Sequence, residues 1–330
     1  MEPQATFVLR TPLPESVLKH VMDVPFRLLP GKVDVGVIQK SAIEEDVPAT
    51  IQAARSFFAG WGACVEEDAK RLAAFSPELV LSDISPLAFP VAKRLGVPGI
   101  GLCSLDWHDI YTAYFDADDP VMDTIAQAHA DCSMLLRLPL SMPMRSFPRR
   151  RDIGLIARKT TVPRLRLRRE LGLEDSQPAA LVMFGGSGAP PFAIAALEAI
   201  ADWRFVILDV KHTSLPGNVM ALRSGQPHAS VDLVSACDVV VSKPGYGVLA
   251  ECWAAGRPLA YVPRPAFTEY PYLRQCVRQN NLGVELDLAS FGNGDWLQTL
   301  ETARALRPEP HPADGAHEVA RIILANVSEE

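Results

Sequence analysis

Residues 237–264, CDVVVSKPGYGVLAECWAAGRPLAYVPR, constrain the fold more than any other stretch of this chain. Val239, Val240 and Val241 form a short β-branched run, the pattern of a strand buried on both faces. Pro244, Gly245 and Gly247 break the run and let the backbone turn tightly. The following VLAECWAA is made of helix formers and stops at Gly256, with Pro258 just beyond. Leu259 to Val262 then restart an extended apolar run. Strand, glycine loop, helix, strand is one βαβ unit. Its loop falls at the C-terminal end of a strand, where open parallel sheets bind ligands.

The same alternation runs along the rest of the chain. In the first half, strand-like runs occur at 6–11, 33–39, 78–84 and 98–103. Between the second and third, Ile51, Ala54, Phe58, Trp61, Val65 and Leu72 recur at helical spacing and predict one long amphipathic helix. PLAFPVAKRLG predicts a helix between the strands at 78–84 and 98–103. In the second half, a strand at 179–184 leads into Gly185-Gly186-Ser187-Gly188, two prolines open a helix, and 204–208 is the next strand. AHEVARIILANV closes the chain as an apolar helix. Alternating strands and helices mean parallel sheets. The expected architecture is α/β, with two Rossmann-like domains facing a cleft. Their bounds are 1–150 and 151–330, divided where the proline-rich stretch after Leu136 turns basic, and the last helix crosses back toward the first domain.

Composition narrows the function. At 330 residues, 48% hydrophobic and 22% charged, the chain can bury two cores in an ordinary soluble composition. No apolar stretch approaches the ~18 residues that span a bilayer, and the N-terminus lacks the basic-then-apolar pattern of a secretory signal. The six cysteines are scattered through apolar patterns, which predicts reduced core thiols and a cytoplasmic location. The histidines form no ligand-spaced cluster with cysteine or acid residues, and FDADDP (115–120) reads as an acidic loop, so no metal is expected. A net charge of −7 argues against nucleic acid as a partner. The segment 145–170 is the basic exception. It reads as a solvated connector followed by an amphipathic helix, or as a run in which some arginines face a phosphate or make peripheral contact with an anionic membrane.

Two glycine loops at strand ends of one sheet suit a nucleoside diphosphate. Their glycines let backbone N–H groups approach an anion, Ser187 adds a hydroxyl donor, and the next helix points its positive end at the site. Neither loop is a P-loop or a G-x-G-x-x-G, which argues against a kinase or a nicotinamide enzyme. Glu251, on the first turns of the second helix, suits a ribose diol, or else serves as a helix-dipole partner.

The stretch ACDVVVSKPGYGVLAECWAAGRPLAYVPRPAFTEYPYLRQ resembles the donor-binding half of GT-B glycosyltransferases. It is similar to the peptidoglycan lipid-intermediate N-acetylglucosaminyltransferases, and more so to the glycosyltransferase-like region preceding the sugar kinase of plant L-arabinokinases. VDVGVIQKSAIEEDVPATIQAARSFFAGW and LVLSDISPLAFPVAKRLGVP resemble that region too. The resemblance implies metal-independent transfer of a sugar from a nucleotide-diphosphate sugar, such as a UDP-sugar, to an acceptor it does not identify, with no other cofactor. It implies that Gly185, Gly186, Ser187 and Arg158 face the diphosphate, that Gly245, Tyr246 and Gly247 lie against the nucleotide, and that Glu251 holds the ribose. Glu269 would sit near the donor sugar, with Arg264 a further cleft residue. Lys243 and Tyr246 depart from the peptidoglycan enzymes and leave base and sugar open. The chain opens at TFVLRTP, matching the second strand of these enzymes, so the first β-α unit and its glycine-rich loop are expected to be missing. Asp83 and His108, the latter grouped with Asp106 and Asp109, are the substitutes available to take the acceptor's proton. Two other readings stay open: a non-catalytic nucleotide-sugar or sugar-binding module, and a UDP-sugar epimerase, for which converging acids and a histidine are not evident.

Overall fold

The computed structural model describes residues 5–41, 43–184, 192–210, 214–223 and 228–327. The strands among them are β1 (Phe7–Thr11), β2 (Phe26–Pro30), β3 (Gln39–Ser41), β4 (Glu44–Glu45), β5 (Val80–Ser82), β6 (Gly99–Cys103), β7 (Met134–Arg137), β8 (Arg150–Asp152), β9 (Ala179–Val182), β10 (Arg204–Leu208), β11 (Val219–Leu222), β12 (Val239–Ser242), β13 (Leu259–Tyr261) and β14 (Gly283–Glu285).

In the second half all pairings are parallel and the sheet order is β11-β10-β9-β12-β13-β14. The chain steps outward from β9 through β10 to β11, then returns to the other side of β9 with β12. The order therefore reverses between β9 and β12, and the loops leaving these two strands flank the switch point. Strand residues alternate between two cores. Leu181, Val206, Val240 and Leu259 face one, while Val182, Ile207, Val241 and Ala260 face the other. This is the pleat written into continuous apolar runs. Trp203, Trp296 and Phe291 fill the second core. The unit recognised at 237–264 forms as read. Helix Tyr246–Ala255 follows β12, and Gly256 ends it in the left-handed conformation (φ 61°) before β13.

The first half departs further from expectation. Its four-stranded parallel sheet runs β5-β6-β7-β8, while β1 and β2 form a parallel pair of their own. The predicted strand at 33–39 is absent up to Ile38, although the composition suits one. Side chains satisfy its backbone in place of a ladder. Ser85 Oγ donates to Val33 O, Tyr111 OH to Gly36 O, and Ile38 N to Thr50 Oγ1, while Gly36 takes φ 71°. The single long helix is also corrected: Gly60 divides it into Val47–Ala59 and Trp61–Ala73. Phe57, Trp61, Val65 and Leu72 still pack beside Ala69, Leu87 and Val91. In the second half, Ile194–Ala199 is a 3₁₀ helix rather than an α-helix, and the prolines expected to open it lie outside the described residues. The proline-rich loop from β7 to β8 buries Met142, Met144 and Phe147 in the first domain's core.

The closing helix Gly315–Val327 returns to the first domain. Val319 and Ile322 pack with Ile100, Leu136 and Ile153. Glu318 accepts from Gly154 N at 3.0 Å and pairs with Arg151 at 3.3 Å. Gly315 lies so close to Gly154 that a Cβ would strike its carbonyl oxygen, which fixes glycine there. All six cysteines are free thiols, four of them buried. No helix among the described residues is long and apolar enough to cross a membrane.

Candidate functional site

The C-terminal ends of β12 and β13 carry the second domain's polar residues. Gly245 is the N-cap of helix Tyr246–Ala255, with extended backbone, and Gly247 lies in its first turn. Neither needs glycine for its conformation, and a Cβ on either would meet no atom within 4 Å. The space before them stays open at a helix N-terminus, where unpaired N–H groups and the dipole attract anions. The loop Gly185-Gly186-Ser187 lies outside the described residues.

Glu251 sits in the second turn of the same helix and is buried. Its Oε1 accepts from Arg158 Nε at 2.6 Å, and Arg158 Nη2 donates to Ser230 Oγ at 2.6 Å. Burial raises the Glu251 carboxyl, against the attraction of Arg158. The sequence candidates Arg158 and Glu251 thus meet, as a charge-assisted pair rather than as separate ligands.

A second cluster joins the two domains. Arg264 is 5% exposed and stacked with its Cζ 3.1 Å from the Phe267 ring centroid. Its Nη1 lies 3.7 Å from Glu269 Oε1, whereas Nε and Nη2 are buried without a partner. Desolvation lowers the guanidinium to about 10, opposed by Glu269 and by Glu45 of the first domain. Glu45 is itself buried, accepts from Tyr114 OH at 2.7 Å, and is raised by burial. Lys243 belongs to this group: burial and Arg264 lower its ammonium, while Glu269 opposes them. Thr268 Oγ1 donates to Ile110 O at 3.2 Å across the junction. Tyr246 packs against the cores of both domains, and its hydroxyl is buried without a partner.

The first domain supplies acids at the ends of β5 and β6. Asp106 is wholly buried as the N-cap of helix Trp107–Tyr111. Its Oδ1 accepts from Asp109 N at 2.7 Å, while Oδ2 has no partner. Burial and Asp109 push its carboxyl up to about 7. The His108 ring has a buried, unpartnered Nδ1. Ligand atoms of Asp106, His108 and Asp109 lie within 4.8 Å of one another, which corrects the expectation that no histidine stands at ligand spacing from acids and bears out the grouping of His108 with Asp106 and Asp109. Asp83 is raised by burial and by Asp34, and Asp34 accepts from Trp107 Nε1 at 3.0 Å. No hydrogen bond joins Asp83 to His108. In the acidic loop, Asp119 caps helix Pro120–Ala130 and pairs with Arg55.

The structure therefore gathers Lys243, Tyr246, Arg264 and Glu269 at the domain junction, and pairs Arg158 with Glu251 to one side. Sequence reading missed Glu45, Tyr114 and Asp34. Their hydrogen-bond partners lie at least 69 positions away, so no local spacing announces them.

No known family profile matches this chain. Over 298 residues it is 26% identical to L-arabinokinase of Arabidopsis thaliana, covering 88% of this chain and 28% of that protein. Over 149 residues it is 29% identical to the UDP-N-acetylglucosamine–N-acetylmuramyl-(pentapeptide) pyrophosphoryl-undecaprenol N-acetylglucosamine transferase of Listeria welshimeri, covering 40% of each. The chain spans well under half the length of these curated relatives. Among solved structures it superposes on the glycotransferase of kitacinnamycin with a TM-score of 0.62 at 18% identity, covering 98% of this chain and 88% of that one. It superposes on Phytolacca americana UGT2, complexed with UDP-2-fluoro-glucose and pterostilbene, with a TM-score of 0.60 at 13% identity, covering 98% and 87%. The fold is that of the GT-B glycosyltransferases, two Rossmann-like domains set around a cleft.

Proposed function

We propose that this chain transfers a sugar from a nucleotide-diphosphate sugar, a UDP-sugar above all, to a hydroxyl acceptor held by the first domain. The observation that carries this is the open space before Gly245 and Gly247, at the switch point of a six-stranded parallel sheet, with Arg158 and Glu251 beside it. The diphosphate would lie at the N-terminus of helix Tyr246–Ala255 and against Arg158. Glu251 would turn from Arg158 to the ribose, and Lys243, Arg264 and Glu269 would line the sugar end. The acceptor oxygen attacks the anomeric carbon, the bond from that carbon to the diphosphate breaks, and the nucleoside diphosphate leaves with the electron pair. Backbone amides, the helix dipole and the cationic side chains stabilise the leaving charge, so no metal is required. The acceptor's proton passes to the first domain, where Asp83 and His108 are the base candidates. The relatives' names support the reading, since they include transferases of nucleotide-linked sugars.

Calorimetric titration with a panel of nucleoside diphosphates tests it. Wild type should bind one of them. Glu251→Ala removes one or two charge-assisted hydrogen bonds at ~1.5–3 kcal/mol, so affinity should fall at least about tenfold with the fold intact. Failure of every nucleoside diphosphate to bind, or equal binding by the variant, would reject the donor site. Binding without transfer to any acceptor would favour the non-catalytic module.

A further inference from the structure

The basic run 145–170 was expected either to be solvated or to face an anion, and the structure divides it residue by residue. Arg164 donates to Ser235 O, Cys237 O and Asp238 Oδ1. Arg168 is 1% exposed and donates to Ala236 O, Glu174 O and Gln177 O. Both tie helix Arg164–Glu170 to the segment before β12, a structural use. Arg158 is engaged by Glu251, Arg151 by Glu318 and Arg166 by Glu170. Arg169 donates to Leu165 O, and Arg149 and Lys159 are exposed; of what remains, the start of the run is concave. A cavity of about 380 Å³ is lined by Arg137, Pro143, Arg145, Arg150 and Asp152.

Its guanidinium groups are held in different ways. Arg137 forms a bidentate pair with Asp152, Nε to Oδ1 at 2.6 Å and Nη2 to Oδ2 at 2.9 Å. Arg150 spends Nη1 on the carbonyls of Pro143 and Met144, both at 3.2 Å. Arg145 is exposed and makes no hydrogen bond or ion pair with the described residues. Three guanidinium groups against one carboxylate leave an excess positive charge in the cavity. Two of the three are oriented by fixed partners, so little side-chain freedom is left to lose on binding.

We propose that this cavity, outside the donor cleft, is a binding site for a phosphate monoester, held by Arg145 and Arg150 with Arg137 beside them. A phosphate dianion matches the excess charge, and its tetrahedral oxygens can accept from several guanidinium edges at once. The cavity is larger than phosphate alone, leaving room for part of the group that bears it. The carrier is a soluble phosphorylated molecule or a lipid headgroup, and both present the same chemistry here. Met144 links the cavity to the first domain's acids: its carbonyl takes Arg150, while its N–H donates to Asp109 Oδ2 at 2.7 Å. The site does not depend on the proposed sugar transfer.

The full chain would be titrated with inorganic phosphate, and separately with phosphatidylcholine vesicles with and without phosphatidic acid. The variants are Arg145→Gln, which breaks no hydrogen bond or ion pair among the described residues, Arg150→Gln, and Arg166→Gln as a control in the same basic run. Saturable phosphate binding that weakens at least about tenfold in Arg145→Gln and Arg150→Gln, as loss of a charge-assisted contact requires, supports a soluble ligand. The same pattern seen only with phosphatidic acid vesicles supports a lipid headgroup. Glu251→Ala and Arg166→Gln should leave either signal unchanged. Absence of both signals, or equal weakening by Arg166→Gln, which would mean diffuse charge rather than a cavity, overturns the proposal.

Discussion

The two larger parallel sheets of this molecule come from the same strand-helix alternation, yet they differ in how their edges are covered. In the second domain β9 and β12 are buried at every residue, with a core on each face. In the first, the interior strands also have a core on each face, Cys103 and Leu135 on one and Ile100 and Leu136 on the other, but the edges are open: β8 is exposed throughout and Leu81, midway along β5, is 46% exposed. Both domains hold buried polar atoms without a partner, Arg264 Nε and Nη2 in the second and Asp106 Oδ2 in the first, so what differs is their sign: a guanidinium in one, a carboxyl in the other. A sheet covered on both faces makes a rigid platform for a ligand at its edge. The sheet with open edges carries desolvated acids at the ends of β5 and β6, Asp83 and Asp106, both raised by burial.

The largest test of this contrast removes packing from the thick sheet. Trp203 is fully buried in the second core, its Nε1 donating to Glu301 at 2.8 Å. Trp203→Ala should cost ~3–5 kcal/mol in urea unfolding, as such truncations do. A loss near zero would mean that the second core is not the tightly packed one.

Next comes the pH dependence of the first domain. The folded pKa of Asp106 is about 7, above its unfolded value of about 3.9. Folded protein then holds a proton that unfolded chain has released, so this group's contribution to stability is full below pH ~4, falls as pH rises through ~7, and is flat above. A shift of about three units corresponds to something on the order of 4 kcal/mol. Asp106→Asn keeps the capping oxygen and should flatten unfolding free energy measured between pH 4 and 8. An unchanged slope would assign the dependence to other groups, Asp34 and Asp83 first among them.

The smallest effect sharpens the comparison from the other side. Leu81→Ala on the exposed edge of β5 should change stability by no more than about 0.5 kcal/mol, as exposed substitutions do. A cost of several kcal/mol would show that this edge is covered in solution.

The thick sheet was the legible part because its interior strands β9, β10, β12 and β13 are apolar runs and its glycines stand where runs stop, whereas the edge strand β14 is Gly-Val-Glu and gave no such signal. Gly256 ended its helix as read, since only the left-handed conformation was needed there. The thin sheet was harder. β7 and β8 lie either side of a proline-rich stretch that reads as linker, and β8 is the charged tripeptide Arg150–Asp152. At 33–38 the composition of a strand was present, but side chains 12 to 75 positions away took the backbone hydrogen bonds.

By itself the sequence determined the α/β class, the βαβ unit at 237–264, and the presence of Glu251 in the helix that follows a glycine loop. These follow from periodicity and from glycine and proline, which act within a few residues. Tertiary structure alone decided that Glu251 is held by Arg158, that Arg264 faces Glu45 and Tyr114 across the junction, and that part of the basic run is spent on backbone carbonyls while Arg145 is not. The physical reason is that electrostatic partners are chosen by proximity in space under low dielectric. A chain that returns to the same strand edge from several directions sets that proximity without leaving a local pattern.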